Sequence, residues 1–375
     1  MIKVCHVTSA HKNDDVRIFV KECRTLACCG EYEVYLVAEG EANLIKDRVN
    51  IVASGLKPVQ KFKRLFFFSK KIYKTAINVD ADIYHLHDPE LLLYALKLKR
   101  KGKKVIFDSH EDYYEQIQQK KYIYAPLRKM IAVVYRLFET YICKRIDAVI
   151  FPCLKDGKHP FEGRCKKLEC INNTPVLSEF YDQYSETSLN EEGFNVCYTG
   201  SITYNRGISY LIEACYHSNV KLILAGNFES EAYENELRGK KEFECVDYRG
   251  VCSREEILNI YRETSAGANT LLNVGQYAIL DNLSTKVYEY MAMGIPVIIS
   301  KTSYNQHLME ECRFGLLVDP YSVTEISEAI DFLKSNRIEA EHMGQRGRDL
   351  VKEQFNWEIE ERKLLRLYMD VIFGK

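Results

Sequence analysis

Several signatures are missing from this chain, and each absence removes a class of protein. No GxGxxG follows the first apolar strand pattern, IKVCHVTSA, so the dinucleotide fingerprint of an ordinary dehydrogenase is absent. None of the 13 cysteines forms a CxxC pair, and the adjacent Cys28 and Cys29 are not spaced as zinc ligands. An odd count, with no cleavable leader ahead of the first strand, suits a reducing cytoplasm better than a disulfide framework. Most cysteines are therefore expected to be small buried apolar residues. No apolar run approaches the ~18 residues that span a bilayer, so a soluble or at most peripheral protein is expected. The formal charge of -1 gives no global pull toward nucleic acid. Repeats of short period and low-complexity tracts are also lacking. Tryptophan occurs once, against 26 tyrosines.

What is present is an alternation of buried strands and helices. A hydrophobic fraction of 46% with 28% charged residues excludes disorder, and 375 residues suffice for two cores. In the first set, IKVCHVTSA, EVYLVAE, ADIYHLHD, KKVIFD and DAVIFP read as strands, with DAVIFP the last of its half. Asp14 and Asp15 introduce a helix that Gly30 stops. Asp88 and Pro89 open another as N-cap and first residue. His87 and His110 with Glu111 arrive at the carboxyl ends of two different strands, where ligands bind in open α/β sheets. NNTPVLSEFYDQYSETSLNEEGF has little periodicity and reads as a linker. A second set follows: NVCYTGS ending in Gly200 and Ser201, a helix preceded by Arg206 and Gly207, VKLILAGN ending in Gly226, VDYRGV with a helix capped by Ser253, and AGANTLL. These patterns predict a first domain over 1–175 and a second over 190–355, with a terminal helix over 356–375.

The stretch DNLSTKVYEYMAMGIPVIIS, Asp281 to Ser300, organises the second set. Asn282, Ser284 and Thr285 are of the kind that cap a helix. Gly294 and Pro296 stop it, and ValIleIle is a covered strand. A helix N-terminus with free amides beside Lys286 is a phosphate site. Glu289, one turn on, suits the vicinal hydroxyls of a ribose. Together they describe a nucleotide diphosphate. The alternative at this point is an ordinary i,i+3 surface pair of Lys286 with Glu289.

The string STKVYEYMAMGIPVI resembles the donor signature of retaining glycosyltransferases with the GT-B fold, family 4. HDPELL and DSHE resemble the bacterial polysaccharide (capsule and O-antigen) branch of that family. The resemblance implies two Rossmann-like doubly wound domains facing a central cleft, the terminal helix crossing back to the first. It implies a sugar moved from a nucleotide diphosphate sugar, UDP above all, to a hydroxyl of a glycan acceptor, lipid-linked in such relatives. The family's two glutamates eight positions apart fall on Asp281 and Glu289, the first shortened by one methylene. Its Arg and Lys that grip diphosphate fall on Ser201 and Arg206, so one cation is lost and Lys286 is placed to restore it. Gly200, Gly226 and the amides at Leu283 to Thr285 join the donor site, and Gly250 with Val251 would lie under the base. His110 would orient the donor sugar, with Asp281 and Glu289, in a front-face reaction where the leaving phosphate takes the acceptor proton. His11, Lys12 and Arg17 replace the family's glycine-rich loop as polar candidates for the acceptor, beside His87 and Glu111. Alternatively Arg17 pairs with Asp14 or Glu22.

No metal or other cofactor is expected. Asp80 and Asp82, the one DxD string, precede a strand and lie at the wrong end of the sheet. Two further readings stay open: an epimerase using Asp281 and Glu111, and a silent nucleotide-sugar-binding partner subunit, to which the loss at Ser201 points. Lys57 to Lys74 holds seven basic residues, five aromatics and no acid. On a wheel of ordinary helical period, Phe62, Leu65, Phe66, Ile72, Tyr73 and Ala76 form a packing stripe. Phe67 and Phe68 fall outside it among lysines, an arrangement suited to docking on an anionic membrane. A cytoplasmic protein, peripheral on the inner face of the cell membrane, is the expectation.

Overall fold

The computed structural model describes residues 1–58, 60, 63–120, 123–181 and 193–374. The chain divides into two compact units, Met1–Asn173 with Trp357–Lys375, and Thr174–Asn356. Both are parallel α/β sheets of the doubly wound kind.

The first unit's strands are β1 (Ile2–Val7), β2 (Tyr32–Ala38), β3 (Leu44–Lys46), β4 (Val49–Ala53), β5 (Ile83–Leu86), β6 (Lys104–Asp108) and β7 (Ala148–Phe151). They lie in the order β3-β4-β2-β1-β5-β6-β7, with Leu168–Cys170 beyond β7. All pairs are parallel except β3 with β4. The order reverses at β1, which places helices on both faces and covers the near-continuous apolar strands. Three strands of this sheet were not legible in the sequence, and DAVIFP is not the last of this half. The β3–β4 hairpin turns on Asp47 (φ 50) and Arg48 (φ 63), without the Asn-Gly or Asp-Gly that announces such turns. Leu168–Cys170 is a short edge strand with little alternation.

The helix before β5 departs from its wheel. Phe68, Ser69, Ile72 and Ala76 are buried, whereas Phe66 and Phe67 are 53% and 68% exposed. A π-helical turn over Arg64–Phe68 precedes the α-helix Ser69–Val79. Its i→i+5 bonding adds a residue to the turn and rotates the aromatic run. Phe68 thus takes the core position expected of Phe66. Lys61 and Phe62 lie outside the described residues.

The second unit's sheet runs Val246–Gly250, Lys221–Ala225, Asn195–Thr199, Ala266–Asn269, Val297–Ser300, Gly315–Val318, all parallel. Two apolar clusters cover its faces, one around the helix Ile208–His217 and one around the helix Thr285–Ala292. Phe180, from the stretch read as linker, is fully buried in the second cluster. Residues 182–192 of that stretch lie outside the described residues. Ser253 and Glu256 form the reciprocal capping box of the helix Arg254–Arg262. No helix among the described residues is long and apolar enough to cross a membrane.

Candidate functional site

At the carboxyl rim of the second sheet, glycines permit backbones to meet. Gly200 ends the strand Asn195–Thr199, and a Cβ on Gly226 (φ 142) would lie 1.9 Å from the Gly200 carbonyl oxygen. Gly207 (φ 69) would clash in the same way, at 2.1 Å, with the carbonyl of Thr270. This fixes Arg206, in the 3-10 turn Tyr204–Arg206, against the rim. Gly250 (φ 68) closes the next strand and accepts from the Gly226 amide at 2.7 Å, while Val251 is open to solvent.

Two basic side chains converge here. Lys286, in the first turn of the helix Thr285–Ala292, is buried, and its Nζ donates to the Tyr198 hydroxyl at 3.3 Å. Arg206 Nη1 donates to the same hydroxyl at 3.3 Å. The phenol in turn donates to the carbonyl of Ser201, whose residue is exposed. The pair therefore shares a neutral phenol. Burial first, and the Arg206 charge second, hold the Lys286 ammonium well below the usual lysine range, with Glu289 opposing them. Lys286 thus lies where a positive charge is least comfortable without an anion.

The helix tip beside these cations is under-satisfied. Ser284 is the N-cap, yet its side chain does not cap, and its Oγ is a buried atom without a hydrogen-bond partner. Asn269 Oδ1 and Thr270 Oγ1 share that condition. Asn269, Asn282, Leu283, Ser284, Thr302 and Asn305 line a small concavity at this tip. Asp281 is half-buried two residues before Leu283. Glu289 is already engaged: Oε1 accepts from Arg254 Nη1 at 2.8 Å and Oε2 from the Tyr261 hydroxyl at 2.7 Å. A carboxylate has about four lone-pair sites, so two remain for a diol. The i,i+3 pair of Lys286 with Glu289 is not formed. Arg254 and the phenols of Tyr198 and Tyr261 were missed in the sequence. The surplus of tyrosine over tryptophan was the available signal.

The first unit's rim is built differently. Asp15 caps its helix by accepting from the amides of Arg17 and Ile18. The following π-helix, Val16–Cys23, brings Arg17 and Glu22 to one side through its i→i+5 spacing. Arg17 is buried and donates to Asp108 through Nε (2.7 Å) and Nη2 (2.9 Å), and to the Ile171 carbonyl through Nη1. Its Nε lies 3.2 Å from Glu22 Oε1, so the pairing with Glu22 is present beside a stronger one. Its fork is thus spent within the fold. His11 bonds Asp15 at 3.1 Å; burial lowers its pKa, but that bond and Asp88 outweigh it and raise the net value. Asp88 does not cap its own helix and instead accepts from Thr8 Oγ1, Ser9 N and Ala10 N in the loop after β1.

Histidines continue this network. His6 and His85 are register partners on β1 and β5, and His87 follows two residues on. His6 Nδ1 meets His87 Nε2 at 2.9 Å, and His87 Nδ1 meets His110 Nε2 at 3.2 Å. His110 Nε2 also lies 3.1 Å from Asp108, and its side chain is 14% exposed. The structure therefore joins His87 and His110, with Glu111 nearby bonded to Gln116. Burial pulls His87 down to about 4. Burial and the Asp108 charge raise the Glu22 carboxyl well above the usual range.

Two groups could offer metal ligands among the described residues: His6, Glu22, His85 and His87, and His87, Asp108 and His110. In the first, His6 and His87 are bonded to each other and His85 Nδ1 to the Tyr368 hydroxyl at 2.8 Å, so an ion would have to replace both bonds. Asp80 and Asp82 serve local ends: Asp82 accepts from the Lys3 amide, and Asp80 ends its helix at φ 51.

Comparison with known proteins agrees with this architecture. Residues 182–350 match the glycosyl transferases group 1 family and residues 23–157 match glycosyltransferase family 4. An uncharacterized glycosyltransferase of Methanocaldococcus jannaschii is 22% identical over 183 residues, which are 46% of this chain and 44% of that protein. The match thus spans less than half of that relative. A sucrose-phosphate synthase from Thermosynechococcus elongatus superposes over 100% of both chains with a TM-score of 0.78 at 15% identity. HepE from Anabaena, in complex with UDP and glucose, covers 99% of this chain and 100% of its own, with a TM-score of 0.71 at 14% identity. The chain has the GT-B fold of two Rossmann-like domains, and it carries a glycosyltransferase family 4 domain followed by a glycosyl transferases group 1 domain.

Proposed function

We propose that this glycosyltransferase moves a sugar, with retention, from a UDP-sugar to a hydroxyl of a lipid-linked glycan in surface polysaccharide synthesis. The observation that carries the donor half is the convergence of Arg206 and Lys286 on one neutral phenol, beside an under-satisfied helix tip. An arginine fork, an ammonium and helix amides preset around one point suit a departing diphosphate. They would neutralise it without a metal. Asp281 and the remaining lone pairs of Glu289 would then hold the sugar and the ribose, Gly250 and Val251 the base. His110, fixed by Asp108 and His87, would orient the donor sugar, and His11 and Glu111 remain the acceptor candidates. UDP is favoured because HepE is described with UDP-glucose and an Escherichia coli trehalose-6-phosphate relative with UDP-2-fluoro glucose. The basic segment Lys57–Lys74 would hold the enzyme at an anionic membrane, where a lipid-linked acceptor resides.

Thermal shift with UDP, GDP and ADP tests the donor. A specific nucleotide at about 100 times its Kd adds about 2.7 kcal/mol of stability. UDP alone should do so, and should keep doing so in excess EDTA. A shift with GDP or ADP instead, or one that requires Mg²⁺, would overturn this assignment.

A further inference from the structure

The helix Ala125–Cys143, between β6 and β7, carries apolar residues where water should be. Ala132, Glu139, Ile142 and Cys143 are its buried residues. Leu127, Met130, Val134, Leu137 and Tyr141 run along the opposite side at spacings of three and four, and all are exposed, Val134 at 60% and Leu137 at 65%. A stripe of this spacing is one continuous face. Soluble surfaces rarely leave such a face uncovered without using it.

We propose that this helix lies in the headgroup region of an anionic membrane and is the element that enters the lipid. Its charge is one-sided: Lys129, Lys144 and Arg145 are exposed, while the one acid from Ala125 to Arg145, Glu139, is buried. Tyr124 and Tyr141 are exposed near its two ends, an apolar body with a polar tip suited to that depth. Charge argues against a second copy of the chain as the occupant, since in a symmetric pair this basic face would meet its own like charges.

Topology extends the surface. Right-handed crossovers place the helices Ser69–Val79, Leu92–Arg100 and Ala125–Cys143 on one face of the first unit's sheet. The Tyr73 and Tyr94 rings of the first two stack at 4.5 Å. Exposed Phe66, Phe67 and Leu93 therefore share that face with the stripe. The inference rests on the membrane half of the proposed function, and it moves lipid insertion from Lys57–Lys74 to Ala125–Cys143, leaving the former as an electrostatic flank.

The test is co-sedimentation of the full chain with vesicles of phosphatidylcholine, alone or mixed with phosphatidylglycerol. Val134→Glu with Leu137→Glu should lower affinity for the mixed vesicles by about tenfold or more, with far-UV circular dichroism and the UDP thermal shift unchanged. Leu137→Trp gives a second readout, because the native Trp357 is buried and supplies a fixed background. Its emission should move to the blue on mixed vesicles and be quenched by brominated lipid. Unchanged binding of the double variant, or a tryptophan at 137 that stays in water while the protein sediments, would overturn the proposal. So would a dimer that the double variant dissolves, without vesicle binding. A missing UDP shift with vesicle binding intact would instead count against the donor assignment alone.

Discussion

Two rims of one topology handle buried charge in opposite ways. In the first unit, Arg17 faces Asp108 through two hydrogen bonds, burial and Asp108 push the Glu22 carboxyl up, and burial holds three histidines toward the neutral form. In the second, Arg206 and Lys286 meet a phenol, and among the described residues no carboxylate forms an ion pair with either. A self-neutralised rim is an arrangement for holding shape, because each charge already has its partner. A rim with cations left over is an arrangement for an anion that arrives later. The difference lies in where the counter-charge comes from, the chain or the ligand.

The largest effect should come from unbalancing the first rim. Arg17→Met leaves Asp108 buried without its fork, and removing one partner of a buried pair costs about 3–5 kcal/mol. The matching change in the second unit, Lys286→Met, should leave stability unchanged or raise it, since it removes a cation that burial already disfavours. Urea denaturation of both variants decides this. Equal losses would erase the contrast between the rims.

Activity should invert that order. Arg206→Ala and Lys286→Met should each lower transfer by about 10²-fold, the scale for losing one donor to developing charge, with the melting temperature nearly kept. Initial rates at saturating acceptor check it. A variant that retains most of its activity would show that the phenol-held cations do not serve the leaving diphosphate.

Acid should weaken the first unit. His87 sits at about 4 in the folded chain against the ordinary 6.5. Between those values the unfolded chain binds a proton that the folded one refuses. Stability is therefore fully present above about 6.5 and is lost as pH falls toward about 4. The slope for this group approaches about 1.4 kcal/mol per pH unit. His6 and His85, also lowered by burial, act in the same direction. Denaturation midpoints at pH 7 and pH 5 should differ by about 2 kcal/mol from His87 alone, and His87→Gln should flatten the dependence. A pH-independent midpoint would mean the histidines already share a proton.

How much of this could be read beforehand follows from the range of each interaction. Caps and stops were legible because they act over a few residues: Asp15 on Arg17 and Ile18, Ser253 with Glu256, Gly30 at φ 78. The strands that carry His87 and His110 to one rim were legible from their apolar runs. The pairing of Arg17 with Asp108, 91 residues apart, was not, because no local pattern encodes which strands become neighbours. Nor was the fate of Asp88, whose carboxylate left its own helix for a loop 78 residues away. The basic segment failed for another reason: a single π-turn rotated Phe66 outward and Phe68 inward, and the wheel assumed a constant period. Periodicity also hid the exposed stripe of Ala125–Cys143, since an apolar face reads the same whether protein or lipid covers it.

The smallest effect is the most direct measure of the open rim. Free, Lys286 has burial and Arg206 against its charge. A diphosphate placed beside it favours the charged form, so its pKa must rise on binding. Binding should then take up protons, between zero and one per site, and UDP affinity should strengthen as pH falls through the free-state value. Titration calorimetry in two buffers of different ionisation enthalpy reads the uptake as a difference in heat. Lys286→Met should abolish that difference while Arg206→Lys keeps it. Equal heats in both buffers, or uptake that survives Lys286→Met, would place the proton elsewhere and return Lys286 to the ranks of buried side chains with no part in the donor site.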